Sequence, residues 1–537
     1  MKRKREGTTL AAVAGAAMTG MVSASGACVL PGYEVTTSSG TSSTTTSAGG
    51  GGIGGTTSSQ GGTGATGATG GTATTTSTGG GGTGGTGGGD VMTRVEWANA
   101  YGSDGYDDAA TIARNPLDHR LWVGGEIGGP VDFVVKTLSP TSAPDGYALT
   151  LDPDGAPIVA ASYGDPANGS FAQSVEAIAI GPDGSRAVAV QFTGTVKNPG
   201  LDEAYGSWGG KDILVVKYAP AGAFQWASHL GDTGDMDVAG MAIDPSSGTV
   251  LVAGTFAGTG RFGANALGAN VKDVESIGGL DVFVTKLAGG SDGAVWVKTF
   301  GSANDDAAAG FAFEPGVPVG SASLFVTGHV TGEIATELDG VPAPSYGGTS
   351  DVFVLGLSTD SSVKWAQTFG DGEVQTGLGI ALGPLGMLVV AGDFTGTVYM
   401  PSALQDAGVQ GIEDLFVAKL ARATGAAVSS VSIPDVDPHF RLAVAPDTDP
   451  ELGFWVAGTT GPAADIDAFV RRFDGQLALQ WTELFQGSGT QRVDAAVAGP
   501  GGDLFVAGTF AGNLTYGAQM LAMPGMAEDL FVMKLHP

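Results

Sequence analysis

The chain has 537 residues, 93 of them Gly and 26 Pro, with a single Cys and a formal charge of −30 from 24 basic and 54 acidic side chains. One Cys cannot pair within the chain, which excludes a disulfide scaffold. The Gly excess lacks a period of three, which excludes collagen, and so much Gly with only 15% charged residues excludes a coiled coil or helical array. No run of 18 strongly apolar residues offers a membrane span. A chain this acidic repels phosphate backbones, so nucleic acid is not expected as a partner.

The first element is an address. Lys2, Arg3, Lys4 and Arg5 precede a short run of Ala, Val, Met and Gly from Leu10 to Val22, and Ser25, Gly26, Ala27 and Cys28 follow. A basic start, a short apolar run and small residues make residues 1–27 a secretory signal peptide. Cys28 stands where bacterial lipoproteins carry their lipidated cysteine. The segment resembles a lipobox through Gly26 and Ala27, while Ser25 departs from the usual Leu or Val. The other reading is an ordinary secretion signal cut near Ala27. Lipidation of Cys28 would add several acyl chains, which anchor far more firmly than one myristoyl group. The expectation is therefore an exported protein of the cell envelope, at the outer membrane or the surface, touching the membrane through its lipid only. Without lipidation it would be secreted.

Residues 28–90 follow as a tether. From Thr36 to Gly89 every residue is Gly, Thr, Ser or Ala except Ile53 and Gln60. Such a segment buries too little apolar area to offset its ordering entropy and is expected to be disordered, a coil spanning roughly 40 Å.

From residue 91 to residue 537 the sequence repeats itself, and the repeats decide the fold. One element, Asp-x-(apolar)-Val-x-Lys-Leu, occurs at Asp212–Tyr218, Asp281–Leu287, Asp351–Leu357, Asp414–Leu420, Asp467–Phe473 and Asp529–Leu535. Asp145–Leu151 is a degraded seventh copy, with Asp132–Leu138 competing for its slot. A second element places a Trp after a Gly turn, with Gly about five residues on: Trp226, Trp296, Trp365 and Trp481, with Val159 and Val428 in the weaker copies. Trp97 to Gly102 stands alone at the start of the domain, and the final Asp529 copy has no Trp strand after it. The two halves complement each other. A third element ends in Val-Ala-Gly-x-Phe-x-Gly, as at Val252–Gly258 and Val506–Gly512, and again occurs seven times.

These short β-branched and aromatic runs between Gly, Asp and Pro turns read as strands. Four strands per unit in seven units predict an all-β chain, a seven-bladed β-propeller of four-stranded antiparallel blades. The strand exemplified by Val493–Ala498 is expected innermost and the Trp strand outermost. Trp97–Tyr101 then pairs with Asp529–Leu535, closing the ring and removing its open edge. The pattern, with Asp281–Leu287, Trp296 and the turn Gly301-Ser302-Ala303-Asn304-Asp305-Asp306, resembles the bacterial SBBP family of β-propeller repeats. That resemblance implies a surface or secreted bacterial scaffold and little about ligands.

Period-locked Trp residues are expected to pack between blades rather than to form a sugar platform. The Asp and Lys of the first element lie five apart, on opposite strand faces; Asp is read as a turn former and Lys as a side chain reaching a blade edge. Acidic turns offer Asp232, Asp235, Asp237, Asp305 and Asp306 as candidate ligands for Ca²⁺, which favours carboxylate oxygens, although no Asp-x-Asp-x-Asp-Gly loop occurs. No other cofactor is expected. The five His residues show no metal spacing, no phosphate loop is present, and Ser291 within Gly289–Gly293 sits in a hairpin turn rather than a nucleophile elbow. No catalytic residue is assigned. The expected function is a monomeric binding scaffold that meets a surface protein or an extracellular glycan through loops on one face, because loops on a rigid scaffold carry recognition. A hydrolase or lyase at the channel mouth and a purely structural envelope component are the alternatives.

Overall fold

The computed structural model describes Thr74–Thr76 and residues 94–537, apart from 141–143, 166–170, 198, 200–203, 265–270, 335–337, 344–348, 401–402, 407–413, 434–441, 447–452, 462–465 and 526. The signal segment, Cys28 and most of the tether lie outside the described residues. Those described form strands and two 3-10 turns, with no α-helix among them. None of their helical turns is long and apolar enough to cross a membrane.

The strands pair antiparallel in four-stranded ladders, each written here from its first strand outward. The first joins Thr111–Arg114, Leu121–Ile127, Asp145–Leu151 and Pro157–Tyr163. The second joins Gln173–Ile180, Arg186–Phe192, Asp212–Tyr218 and Phe224–Gly231. The third joins Met236–Ile243, Val250–Ala264, Lys272–Leu287 and Ala294–Phe300. The fourth joins Ala307–Phe313, Leu324–Val330, Asp351–Leu357 and Val363–Phe369. The fifth joins Gln375–Leu382, Met387–Phe394, Asp414–Ala421 and Ala427–Ile433. The sixth joins Leu442–Pro446, Phe454–Thr460, Asp467–Phe473 and Leu479–Gly487. The seventh joins Gln491–Ala498, Leu504–Phe510 and Asp529–Leu535 with Val95–Tyr101, from the other end of the domain.

The third strand of each ladder explains its unbroken apolar run. Asp145–Leu151, Asp212–Tyr218 and Asp351–Leu357 are buried along their whole length, covered on both faces. Alternate residues serve different cores, as strand geometry requires. Ile213 and Val215 face the third ladder, in a core with Val252 and Phe283. Leu214 and Val216 face the first, with Ala148 and Tyr163. Further cores join the third ladder to the fourth, the fourth to the fifth, the fifth to the sixth and the sixth to the seventh. One more core joins the seventh to the first, packing Phe505 and Val532 with Val123 and Tyr147. First strands also lie beside first strands in the same cyclic order, with Gln491–Ala498 next to Thr111–Arg114.

The recurring spacing of Asp, Trp and Gly within the repeat has a steric cause. Each Trp pairs with the sixth residue of the Asp element, as Trp226 with Lys217, Trp296 with Lys286 and Trp97 with Lys534. Five residues past Trp226, Trp296 and Trp97 come Gly231, Gly301 and Gly102. There the Asp carboxylate of the adjacent strand fills the space a Cβ would need, at 2.2 Å for Asp212, 2.0 Å for Asp281 and 1.9 Å for Asp529. The same Asp caps the turn before its strand, taking the backbone N–H of Trp208 at 2.8 Å, Ile277 at 2.6 Å or Gly525 at 2.7 Å.

Trp and Lys stitch each ladder to the next. The Trp226 Nε1–H donates to Gly289 O at 3.3 Å, Trp296 to Thr359 O at 3.1 Å and Trp365 to Arg422 O at 2.9 Å, each in the outer turn of the following ladder. Lys217 Nζ donates to Gly289 O at 3.1 Å and Lys286 Nζ to Thr359 O at 3.3 Å. Trp97 donates to Pro153 O at 3.3 Å, from the seventh ladder to the first. The Trp residues thus pack between ladders, as expected, and in addition bridge them through Nε1. Where the first copy lacks Trp, Arg186 lies over the rings of Trp122 at 4.3 Å and Tyr218 at 4.5 Å.

Four details differ from the sequence expectation or refine it. Asp145–Leu151 takes the third-strand slot of the first ladder, while Val131–Asp132 and Thr137–Leu138 form a small hairpin. In the fifth ladder Ser429, not Val428, stands opposite Lys419, because the register shifts at Leu420 and leaves Val428 in the bulge. The connection that follows the third Val-Ala-Gly strand is itself largely paired: Thr259 opposes Glu275 and Phe262 opposes Lys272, with the Phe262 side chain in the core. Within the expected disordered tether, Thr74–Thr76 pairs with Ala98–Ala100. The outer strand there offers an unpaired edge, and β-branched Thr suits it.

Candidate binding site

In each ladder the turn between second and third strands leaves from the same end as the connection to the next ladder. These connections grip each other through carboxylates. Asp306 is buried and accepts the Thr331 N–H at 2.7 Å and the Ser302 hydroxyl at 3.2 Å. Asp107 repeats the arrangement, accepting the N–H groups of Ser103 at 2.6 Å and Gly128 at 2.9 Å. Asp305 accepts the Leu280 N–H at 3.0 Å and Asp235 the Lys211 N–H at 2.8 Å. Asp237 pairs with Lys211 Nζ at 2.7 Å and accepts from Gln191 Nε2 at 2.5 Å. Asp232 is partly exposed beside them. The five sequence candidates for Ca²⁺ are thus spread over two turns, and no three of them bring ligand atoms together.

Among the described residues, one group of three does so: Glu96, Asp503 and His536, within 4.8 Å of one another. Its centre is shared with an ammonium. Lys534 Nζ lies 2.5 Å from Glu96 Oε2 and 3.0 Å from Asp503 Oδ2, and His536 bridges the same carboxylates at 3.0 and 2.7 Å. This network ties the last strand to the Val95–Tyr101 strand. Ser291 lies in the turn where the Ala288 N–H donates to Gly293 O at 2.9 Å, as expected of a hairpin residue. His229, unassigned in the sequence, is buried with its Nε2 2.7 Å from Asp212 Oδ2, and its ring stacks on Trp208 at 3.8 Å.

A concavity lies where the first strands converge. A cavity of about 480 Å³ is lined by Glu176, Asp237 and Asp494 with Lys211 on one side, and by Ala308, Ala309, Leu378 and Leu442 on the other. A smaller one of about 140 Å³ adjoins it, sharing Glu176 and Lys211 and adding Glu126 and Gln173. The Asp494 carboxylate lies 3.4 Å from Arg492 Nε and accepts the Thr509 hydroxyl at 3.2 Å. Behind them Asp108 accepts the Glu126 N–H at 2.7 Å. Burial, then repulsion from Glu176 and Asp107, pushes the Glu126 carboxyl up to about 7. Burial, then the charges of Glu126 and Glu176, raises Asp108 well above the ordinary carboxylate range.

The sequence reading missed this acidic group. A signal was available: Gln173-Ser174-Val175-Glu176 and Gln491-Arg492-Val493-Asp494 occupy the same repeat position, where other copies carry Ala239, Ala309 or Leu378. An acid breaking a small or apolar position in two copies marks the channel wall.

No family model and no curated protein matches the chain. Among solved structures, Sqt1 from Chaetomium thermophilum has 11% identity and a TM-score of 0.40, over 83% of this chain and 98% of its own. The phage phi92 endosialidase has 11% identity and a TM-score of 0.37, over 81% and 68%. The hemagglutinin-neuraminidase ectodomain of parainfluenza virus 5 has 8% identity and a TM-score of 0.31, over 81% and 84%. At these scores the likenesses carry no argument about fold details or function.

Proposed function

We propose that this chain is an exported, lipid-anchored β-propeller of the SBBP type, with seven blades in a closed ring, acting as a binding module through its loop-bearing end. The closed ring is supported by core packing between the seventh and first ladders and by the Trp97–Pro153 hydrogen bond across that junction. The binding role rests on one observation, the cavity of about 480 Å³ on which side chains from six ladders converge. Rigid strands holding a concave site, with charged side chains on one wall and apolar ones on the other, suit recognition. Its partner would be a surface protein or an extracellular glycan, with or without Ca²⁺.

Screening the full chain against glycans and surface extracts, with and without Ca²⁺, tests the reading. It predicts a reproducible partner lost on exchange of Glu176 and Asp494 for their amides; no partner in either condition would favour a structural envelope role. The address has its own test, since Cys28→Ser should move the protein from the membrane fraction to the soluble one. A hydrolase or lyase is the second reading, favoured by Glu126, whose pKa near 7 suits a general acid or base. It requires a turnover that Glu126→Gln abolishes.

A further inference from the structure

We propose that the channel mouth binds an organic primary ammonium group on an aliphatic stem, the ammonium against the acidic wall and the stem against Leu378 and Leu442. The inference rests on the reading of this end as a binding face and names its ligand class. The cavity is divided by the order of the ladders. Asp494 comes from the seventh, Glu126 from the first, Glu176 from the second and Asp237 from the third, so the acids follow one another around one side. Ala308 and Ala309 from the fourth ladder, Leu378 from the fifth and Leu442 from the sixth make the opposite wall. Four carboxylates line the two adjoining cavities against two nearby cations, Lys211, held by Asp237 at 2.7 Å, and Arg492, whose Nε lies 3.4 Å from Asp494, so the acids stay in excess.

A second, independent feature lies in the same wall. Gln173 is fully buried and lines the smaller cavity. Its amide N–H₂ donates to Phe171 O and Thr195 O, both at 3.0 Å, while its Oε1 receives no hydrogen bond. The same orphan recurs in Gln491 Oε1, at the matching position of the seventh ladder that supplies Asp494; a buried acceptor asks for a donor, and an ammonium brings three. Burial, then repulsion from Glu176 and Asp107, raises the Glu126 pKa, and a positive charge at the mouth relieves the repulsive part.

The geometry distinguishes an organic cation from a bare metal ion. Among the described residues, no three His, Cys, Asp or Glu side chains at this mouth bring ligand atoms within 4.8 Å of one another, so an ion such as Ca²⁺ finds no cluster of carboxylates here. A volume near 480 Å³ accepts a stem of several carbons, and the Leu and Ala wall gains from covering it. An anionic ligand would meet the acids directly.

The test uses the full chain and isothermal titration with 1,5-diaminopentane, with 1,5-pentanediol as the neutral analogue and CaCl₂ as the metal. The expected result is saturable diamine binding that weakens with added salt, and no binding of the diol. Glu176→Gln and Asp494→Asn should each weaken the diamine roughly tenfold, the scale of one charged hydrogen bond. Circular dichroism and melting of each variant separate lost binding from lost folding; Leu378→Ala, on the far wall, gives a milder probe with a few-fold loss. A short lysine-containing peptide forms the second arm. If it binds with the same dependence on Glu176 and Asp494 while the free diamine does not, the ammonium belongs to a protein side chain and the assignment stands. Equal binding of the diol, or diamine binding indifferent to both acid variants, overturns it. So does failure of both amines, and a glycan or surface partner captured in that case leaves the binding-module reading intact.

Discussion

Gly301→Ala tests the steric origin of the repeat more sharply than loss of a large side chain. A Cβ at Gly301 would lie 2.0 Å from Asp281 Oδ1 and 2.4 Å from its carboxyl carbon. Asp281 is fully buried, and its Oδ2 is held by the Ile277 N–H at 2.6 Å. The strand that carries Asp281 cannot retreat, because Asp281–Leu287 is paired on both sides. Overpacking a tight site costs about 1–3 kcal/mol, and this contact belongs at the upper end, about 3 kcal/mol. Asp281→Ala alone loses a turn cap, about 1 kcal/mol, but vacates the space. In that background Gly301→Ala should cost no more than about 0.5 kcal/mol, a coupling of about 2.5 kcal/mol. Gly290→Ala is the control, since its Cβ meets nothing within 4 Å. Urea unfolding followed by Trp fluorescence reads all four proteins as midpoint shifts at constant slope. Gly301→Ala as mild as Gly290→Ala, or additive with Asp281→Ala, would refute the reasoning.

Three further outcomes are expected. Deleting residues 529–537 removes a strand paired with both Leu504–Phe510 and Val95–Tyr101, with Leu530, Phe531, Val532, Met533 and Leu535 all buried. At about 1.5–3 kcal/mol per buried side chain the loss is on the order of 10 kcal/mol, comparable to a domain's whole stability; an unchanged cooperative melt would disprove ring closure. Trp365→Phe forfeits the bond to Arg422 O while keeping an aromatic ring beside Phe325, and should lower stability by about 1 kcal/mol in the same urea assay. Stability should also fall as pH rises from about 4 to 7. Burial, followed by repulsion from Asp107, raises Asp529 to about 7, and burial raises Asp107 and Asp145 to about 6. These acids hold protons in the folded state that the unfolded chain has released, so folding is favoured at the lower pH, by about 1.4 kcal/mol for each tenfold gain in proton affinity. The carboxyls whose pKa is lowered, such as Asp183 and Asp339, act below pH 4, outside that window. Urea midpoints at pH 5 and pH 8 check the sign, and Asp529→Asn should flatten the difference.

Much of the architecture was legible because it is local and repeated. The Asp element, the Trp strand and the Val-Ala-Gly strand record partners at fixed offsets along one ladder, so their period yields strand order. The orphan Trp97 strand and the partnerless Asp529 strand announced their pairing. The structural roles of Trp and Lys were readable for the same reason: a residue repeated with the scaffold serves the scaffold. Side-chain register was less legible. Ser429 rather than Val428 opposes Lys419: the same one-residue bulge precedes this position in the other ladders, and Ser429 takes the place of Trp there without resembling it. The steric reason for each Gly appeared only once the neighbouring strand set the Asp carboxylate against it. The site was decided by tertiary structure almost entirely. Glu126, Glu176, Asp237 and Asp494 are far apart in sequence and belong to four ladders, and each alone reads as an ordinary surface acid. Packing of the seventh ladder against the first brings them to one wall, opposite Leu378 and Leu442, and the resulting crowding and burial raise Glu126 to about 7. Strand pairing depends on short-range pattern, whereas a convergent charge cluster depends on which ladders become neighbours around the channel.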